Sequence, residues 1–206
     1  MNRRELIYHR PQSREELNTI LTENPGRFTF LSGGDFERQF PDEIDHLVDL
    51  QALNLDLVLE EDQTYQIGGL ATLALFDQAM ERYGDFHQAV SIESGLNVRN
   101  SLSINNFLSH ADGRSPLLVS LRALHPGLHF QPSDLELTLE DALAVQDFSS
   151  IDYLERLFFE APKAFAFESV GRAPKDKPIL CVSACLNAAG LIAISVGGTL
   201  AYLPLI

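Results

Sequence analysis

The stretch from Leu6 to Gly34 constrains this chain most, because it packs a strand, a capped helix, a second strand and a glycine turn into one short unit. Ser13-Arg-Glu-Glu16 is a capping box: the serine hydroxyl and the glutamate carboxylate each satisfy a backbone N–H that a helix start leaves open. The helix carries Leu17, Ile20 and Leu21 on one face and ends at Asn24-Pro25-Gly26. Leu6 to Tyr8 before it and Phe28 to Leu31 after it read as strands, the second running into Gly33-Gly34. The opening is therefore a βαβ unit.

His46 to Leu50 reads as a third strand. Leu55–Leu59 and Thr64–Ile67 flank the charged tip Glu60-Glu61-Asp62-Gln63 as a hairpin, and Gly68-Gly69 leads into a helix from about Thr72 to Tyr83. Ser94 to Ser109 is polar, rich in asparagine and without a clear period, the kind of segment that is more often functional than idle. Ser115 followed by Pro116 starts a helix to Leu124, with serine as N-cap and proline in the first turn. Leu128–Gln131 and Leu135–Thr138 form a hairpin around Pro132-Ser133-Asp134, and Leu139–Leu143 and Ile151–Leu157 read as short helices. Three strands close the chain, Ala164–Val170, Ile179–Leu186 and Leu191–Val196, the last two joined at Asn187-Ala-Ala-Gly190. The class is α+β.

Charge restricts the partners. Among 206 residues, 29 Asp and Glu face 15 Lys and Arg, a formal net charge of −14. A chain of that sign is repelled by phosphate backbones and anionic membrane surfaces, so nucleic acid and membrane are excluded as general partners. No apolar run reaches the roughly 18 residues of a membrane span, and Met1-Asn-Arg-Arg-Glu5 does not lead into a signal peptide; the expectation is a cytoplasmic protein. Cys181 and Cys185 are expected as buried thiols on a strand, too far apart for a disulfide. The six histidines show no ligand spacing, so no metal site is expected.

Two loops together carry a resemblance: Leu31-Ser-Gly-Gly-Asp35 and Val98-Arg-Asn-Ser-Leu-Ser-Ile-Asn-Asn106. With Tyr8-His-Arg-Pro11, His46-Leu-Val-Asp49, Ile67-Gly-Gly-Leu-Ala-Thr72, Thr138-Leu-Glu-Asp141 and Phe167 to Arg172, their order resembles the FAD-binding domain of the molybdenum hydroxylases. That family includes flavoprotein subunits of carbon monoxide dehydrogenase and flavin domains of xanthine dehydrogenase. The resemblance implies the two-subdomain FAD-binding fold of the molybdopterin dehydrogenase (PCMH-like) type. Its N-terminal FAD-binding subdomain would span residues 1–55, its second FAD-binding subdomain 56–162 and a truncated C-terminal lobe of strands 163–206. It also implies a flavoprotein oxidoreductase subunit that passes electrons through FAD, with iron–sulfur and molybdenum-cofactor subunits, or copies of itself, as partners. The FAD pyrophosphate would lie against Ser32, Gly33, Gly34, Asp35, Ser103, Ile104, Asn105 and Asn106, with Asp112 as counterpart of a ribose-binding aspartate, and Arg99 and Asn100 holding the loop's shape. Backbone amides at such turns cradle a dianion without Lys or Arg. No catalytic residue of the chain itself is required, since a flavin supplies the chemistry.

The sequence departs from the family pattern where phosphate would bind. Asp35 stands where the family has threonine. At roughly 5 Å and an effective dielectric near 20, a like-charge pair costs about 3 kcal/mol. The family's Gly-Gly-Asn falls on Asn105-Asn106-Phe107, so side chains stand where the phosphate would approach. The loop around Asp112 is shorter, and the chain as given stops where the family continues, on the apolar stretch Leu200–Ile206. The alternative is therefore a flavin-free descendant of the fold, acting as a scaffold, assembly or regulatory partner.

Overall fold

The computed structural model describes residues 6–33, 42–144, 152–173 and 176–198. Gly34, Asp35 and the Leu200–Ile206 stretch lie outside the described residues.

The opening unit forms as its sequence dictates. β1 (Ile7–His9), α1 (Arg14–Glu23), β2 (Phe28–Leu31) and β3 (His46–Asp49) make a parallel three-stranded sheet in the order β1-β3-β2. Ser13 caps α1 by accepting the Glu16 amide at 3.2 Å, and the Glu16 carboxylate accepts the Gln12 amide at 2.7 Å. Leu17 and Leu21 of α1 pack on Phe28, Phe30 and Val48 of the sheet, with Leu55 and Tyr153 closing this core.

The main body is a five-stranded antiparallel sheet with helices on it. Its strands are β4 (Val58–Glu61), β5 (Thr64–Gly68), β6 (Gly127–Gln131), β7 (Leu135–Thr138) and β8 (Tyr153–Glu160), in the order β4-β5-β8-β6-β7. Asp62 and Gln63, both at positive φ, turn the β4–β5 hairpin in two residues, as a right-twisted ribbon requires. Between β5 and β6 run α2 (Leu73–Ala79), α3 (Gly84–Glu93), α4 (Leu96–Arg99), α5 (Ile104–His110) and α6 (Pro116–Leu124), and α7 (Leu139–Ala144) follows β7. Tyr65 and Phe159 stack with ring centroids 5.2 Å apart, and Phe76 and Phe86 pack at 5.0 Å in the same core. A third sheet, β9 (Ala164–Val170), β10 (Leu180–Leu186) and β11 (Ile192–Gly198), packs one face on α3 and α6.

Three local expectations are corrected. Ile151–Leu157, read as a short helix, contributes to β8, the central strand between β5 and β6, and residue 151 lies outside the described residues. Leu154, Leu157 and Phe159 are buried there alongside Tyr153 and Glu155, so the strand has no clean alternation to read. The helix expected over Thr72–Tyr83 ends at Ala79, and a separate α3 begins at Gly84. The polar segment Ser94–Ser109 is largely helical, as α4 and α5.

Glu155 of β8, buried, joins the N-terminal unit to the five-stranded sheet. It pairs with Arg14 of α1, and His129 Nδ1 of β6 lies 2.6 Å from its second oxygen.

Candidate functional site

Two helix starts stand side by side beneath the end of β2. Thr72 caps α2 by accepting the Leu75 amide, and Ser103 caps α5 by accepting the Asn106 amide at 3.1 Å. The caps bridge each other antiparallel: Leu73 N–H donates to the Leu102 carbonyl and Ile104 N–H to the Ala71 carbonyl, each at 3.0 Å. Gly69 makes this approach possible. A Cβ on it would meet the Leu154 carbonyl oxygen at 1.9 Å, and its own carbonyl accepts the Asn105 amide at 2.9 Å.

The β2 loop comes down onto this pair. Gly33 has φ +87°, a conformation glycine adopts without strain, and lies against Ser101 and Ser103. Its carbonyl accepts from Asn106 Nδ2 at 3.1 Å and from the Ser103 hydroxyl at 3.5 Å. The structure thus brings together Ser32, Gly33, Ser103, Ile104, Asn105 and Asn106, and all but Gly33 are buried. Asn105 turns its side chain to the other side, where Oδ1 accepts the Leu154 amide of β8 at 3.0 Å. The Asn105 carbonyl accepts the Ser109 hydroxyl, and the Asn106 carbonyl pairs with His110 Nδ1, each at 2.9 Å.

Asp112 is engaged elsewhere. It accepts the Arg114 amide at 2.9 Å, pairs with the Arg114 guanidinium at 3.1 Å and faces Lys177 at 3.6 Å. Burial works to raise its carboxyl, but the Arg114 bonds and Lys177 hold it below the usual range. Arg99 reaches Asp77 at 3.1 Å and the Ser91 hydroxyl at 3.3 Å, tying α4 to α2 and α3.

Placing a dinucleotide phosphate at this loop pair meets an obstacle in the start of α5. The amides of Ile104, Asn105, Asn106 and Phe107 already bond to Ala71, Gly69, the Ser103 hydroxyl and the Ser103 carbonyl. A small cavity lined by Phe30, Ser32, Asn105, Asn106, His110 and others measures about 10 Å³, room for a single water at most. The start of α5 therefore offers a phosphate none of these four amides.

A wider opening lies between β8, β11 and the α6–β6 connection, a groove of about 1050 Å³ lined by Phe158, Phe159, His125, Leu191, Ile192 and Ile194 among others. Its signal in the sequence is the uncharged run Leu191 to Val196, which by itself predicts only a strand. Among the described residues no group of His, Cys, Asp and Glu could hold a metal, and no helix is long and apolar enough to cross a membrane.

No protein-family model and no curated protein matches the sequence. Solved structures do match the fold. A chain of quinoline 2-oxidoreductase from Pseudomonas putida 86 superposes with a TM-score of 0.78 at 17% identity over 99% of this chain and 77% of its own. A chain of carbon monoxide dehydrogenase from Hydrogenophaga pseudoflava, a form lacking the Mo-pyranopterin moiety, gives 0.78 at 18% identity over 100% of this chain and 78% of its own. One from reconstituted CO dehydrogenase of Oligotropha carboxidovorans gives 0.76 at 18% identity with the same coverage. The α+β fold expected from the sequence is the fold observed, that of these carbon monoxide dehydrogenase and quinoline 2-oxidoreductase chains.

Proposed function

We propose that this chain is a subunit of a molybdenum-hydroxylase-like oxidoreductase assembly, in which it scaffolds partner chains of the iron–sulfur and molybdenum-cofactor kind. The observation that carries this reading is the outward face of the C-terminal sheet. In the observed register Leu180 lies between Val170 and Gly198, Val182 between Glu168 and Val196, Ala184 between Ala166 and Ile194, and Leu186 between Ala164 and Ile192. Glu168 is the one charge in that array. Val170 is 62% exposed, Ile192 69% and Ile194 51%. The alternate positions, including Phe167, Cys181, Ser183 and Ser195, are buried against the helices. An apolar face on a chain of net charge −14, continuous with the groove beside Leu191, is what a partner-binding surface requires. The test is isolation of the tagged chain from its own cells, with metal analysis of whatever accompanies it. Iron and molybdenum are expected in the wild-type isolate and absent with Ile192→Glu/Ile194→Glu. A metal-free monomer from the wild type sinks the reading.

A second reading, an FAD-bearing electron-transfer subunit, draws on the meeting of the β2 loop and the α5 start at Gly33. The visible spectrum separates the two: flavin bands near one per chain favour it, and a colourless protein favours the scaffold.

A further inference from the structure

We infer that Asn105 and Asn106 form a built-in latch that does the joining a ligand would do at this loop pair, so that the site is complete without a cofactor. The two residues stand where the family resemblance puts glycines, and their side chains make the bonds that glycine cannot make. Asn106 Nδ2 donates to the Gly33 carbonyl at the end of β2, 3.1 Å away and 73 residues distant in sequence. Asn105 Oδ1 accepts the Leu154 amide at the start of β8, 3.0 Å away and 49 residues distant. One helical turn therefore ties the parallel N-terminal sheet to the five-stranded sheet, through two side chains pointing to opposite sides.

Both asparagines are only 6% exposed, and their amides and carbonyls are bonded as well. A carboxamide fits each place because it carries the group its neighbour needs, an N–H donor toward the Gly33 carbonyl and an oxygen acceptor toward the Leu154 amide. Glycine at both positions would leave the Leu154 amide without this acceptor and the Gly33 carbonyl without its nearer donor. The latch stands whether or not the chain joins an oxidoreductase, so its test is separate from the isolation experiment above.

The first measurement is thermal unfolding of the wild type with and without excess FAD, alongside a flavin fluorescence titration. No shift in Tm and no change in fluorescence are expected. A rise in Tm with FAD, or a flavin that stays bound on purification, overturns the inference. The second is amide hydrogen exchange in single variants. In Asn105→Ala the Leu154 amide should lose protection by about 10-fold or more, as the loss of one buried bond predicts. Asn106→Ala should loosen the Phe28–Gly33 segment and lower Tm by about 3–6 °C. Unchanged protection at Leu154 together with an unchanged Tm in both variants would also overturn it. If either variant fails to fold, the wild-type titration alone still decides.

Discussion

Glu93 shows how one side chain can set a pH response. It sits at the end of α3, largely but not fully buried, with one oxygen accepting the Ser115 hydroxyl at 2.6 Å and the Leu117 amide at 3.3 Å at the start of α6. Burial raises its carboxyl above the ordinary glutamate range, and the Ser115 and Leu117 bonds pull back only part of the rise. A folded state that holds the proton more tightly than the unfolded chain loses stability as pH climbs from the ordinary value through the raised one. Glu93→Gln keeps an acceptor for both donors and carries no charge. Its Tm should exceed that of the wild type by a margin that widens as pH rises from about 5 to about 8. A constant margin in differential scanning calorimetry would show that Glu93 ionises as it does in water. Nearby, Cys181 is pushed up to about 11, first by burial and then by the Glu93 charge, so a thiol reagent at neutral pH should leave it unmodified until the protein unfolds. At this scale the sequence was legible wherever a bond is local: the caps at Ser13 and Ser115 are where spacing put them. The Asn105–Leu154 bond was not legible, because its partner is brought close only by the completed fold.

Among the elements, the tightest junction is the Gly68-Gly69 turn, where β5 passes between two other backbones. A Cβ on Gly68 would stand 2.1 Å from the Leu55 carbonyl oxygen, and on Gly69 1.9 Å from that of Leu154. Neither obstacle is a flexible side chain. Gly69→Ala should therefore cost more than the about 1–3 kcal/mol of ordinary overpacking, seen as a loss of Tm or of soluble protein; Gly84→Ala, with nothing within 4 Å, is the control. A strand whose apolar positions alternate is legible, as with β6, where Leu128 and Phe130 are the buried residues. β8 reads as a helix in the sequence because it buries Tyr153, Leu154 and Glu155 in succession at its start, erasing the period that identifies a strand. The α4–α5 stretch looked like a loop because its helices are short and amphipathic only over a turn or two.

The whole molecule combines a net charge of −14 with one apolar sheet face, and the two oppose each other in self-association. Charge repulsion between copies is screened within about 8 Å at physiological ionic strength, while burial of apolar surface is not weakened by salt. Any self-association of the isolated chain should therefore grow with sodium chloride, as measured by light scattering, and be abolished by Ile192→Glu/Ile194→Glu. Association that falls with salt would mean that charged contacts hold the copies together. The position of β8 has a further consequence, one of timing during synthesis. β5 finds one of its two neighbours, β4, at once, but Tyr65 must wait for Phe159 and Leu128 for Leu157. Until the ribosome has made the chain through Glu160, the central sheet exists as two separate hairpins, each marginal by itself. The helices from α2 to α6 are by then already made, with Phe76 and Leu128 lacking the strand that will bury them. The last strand of this sheet to be synthesised is the one at its centre, so a nascent chain stalled before Tyr153 would expose most of its future core to chaperones at once.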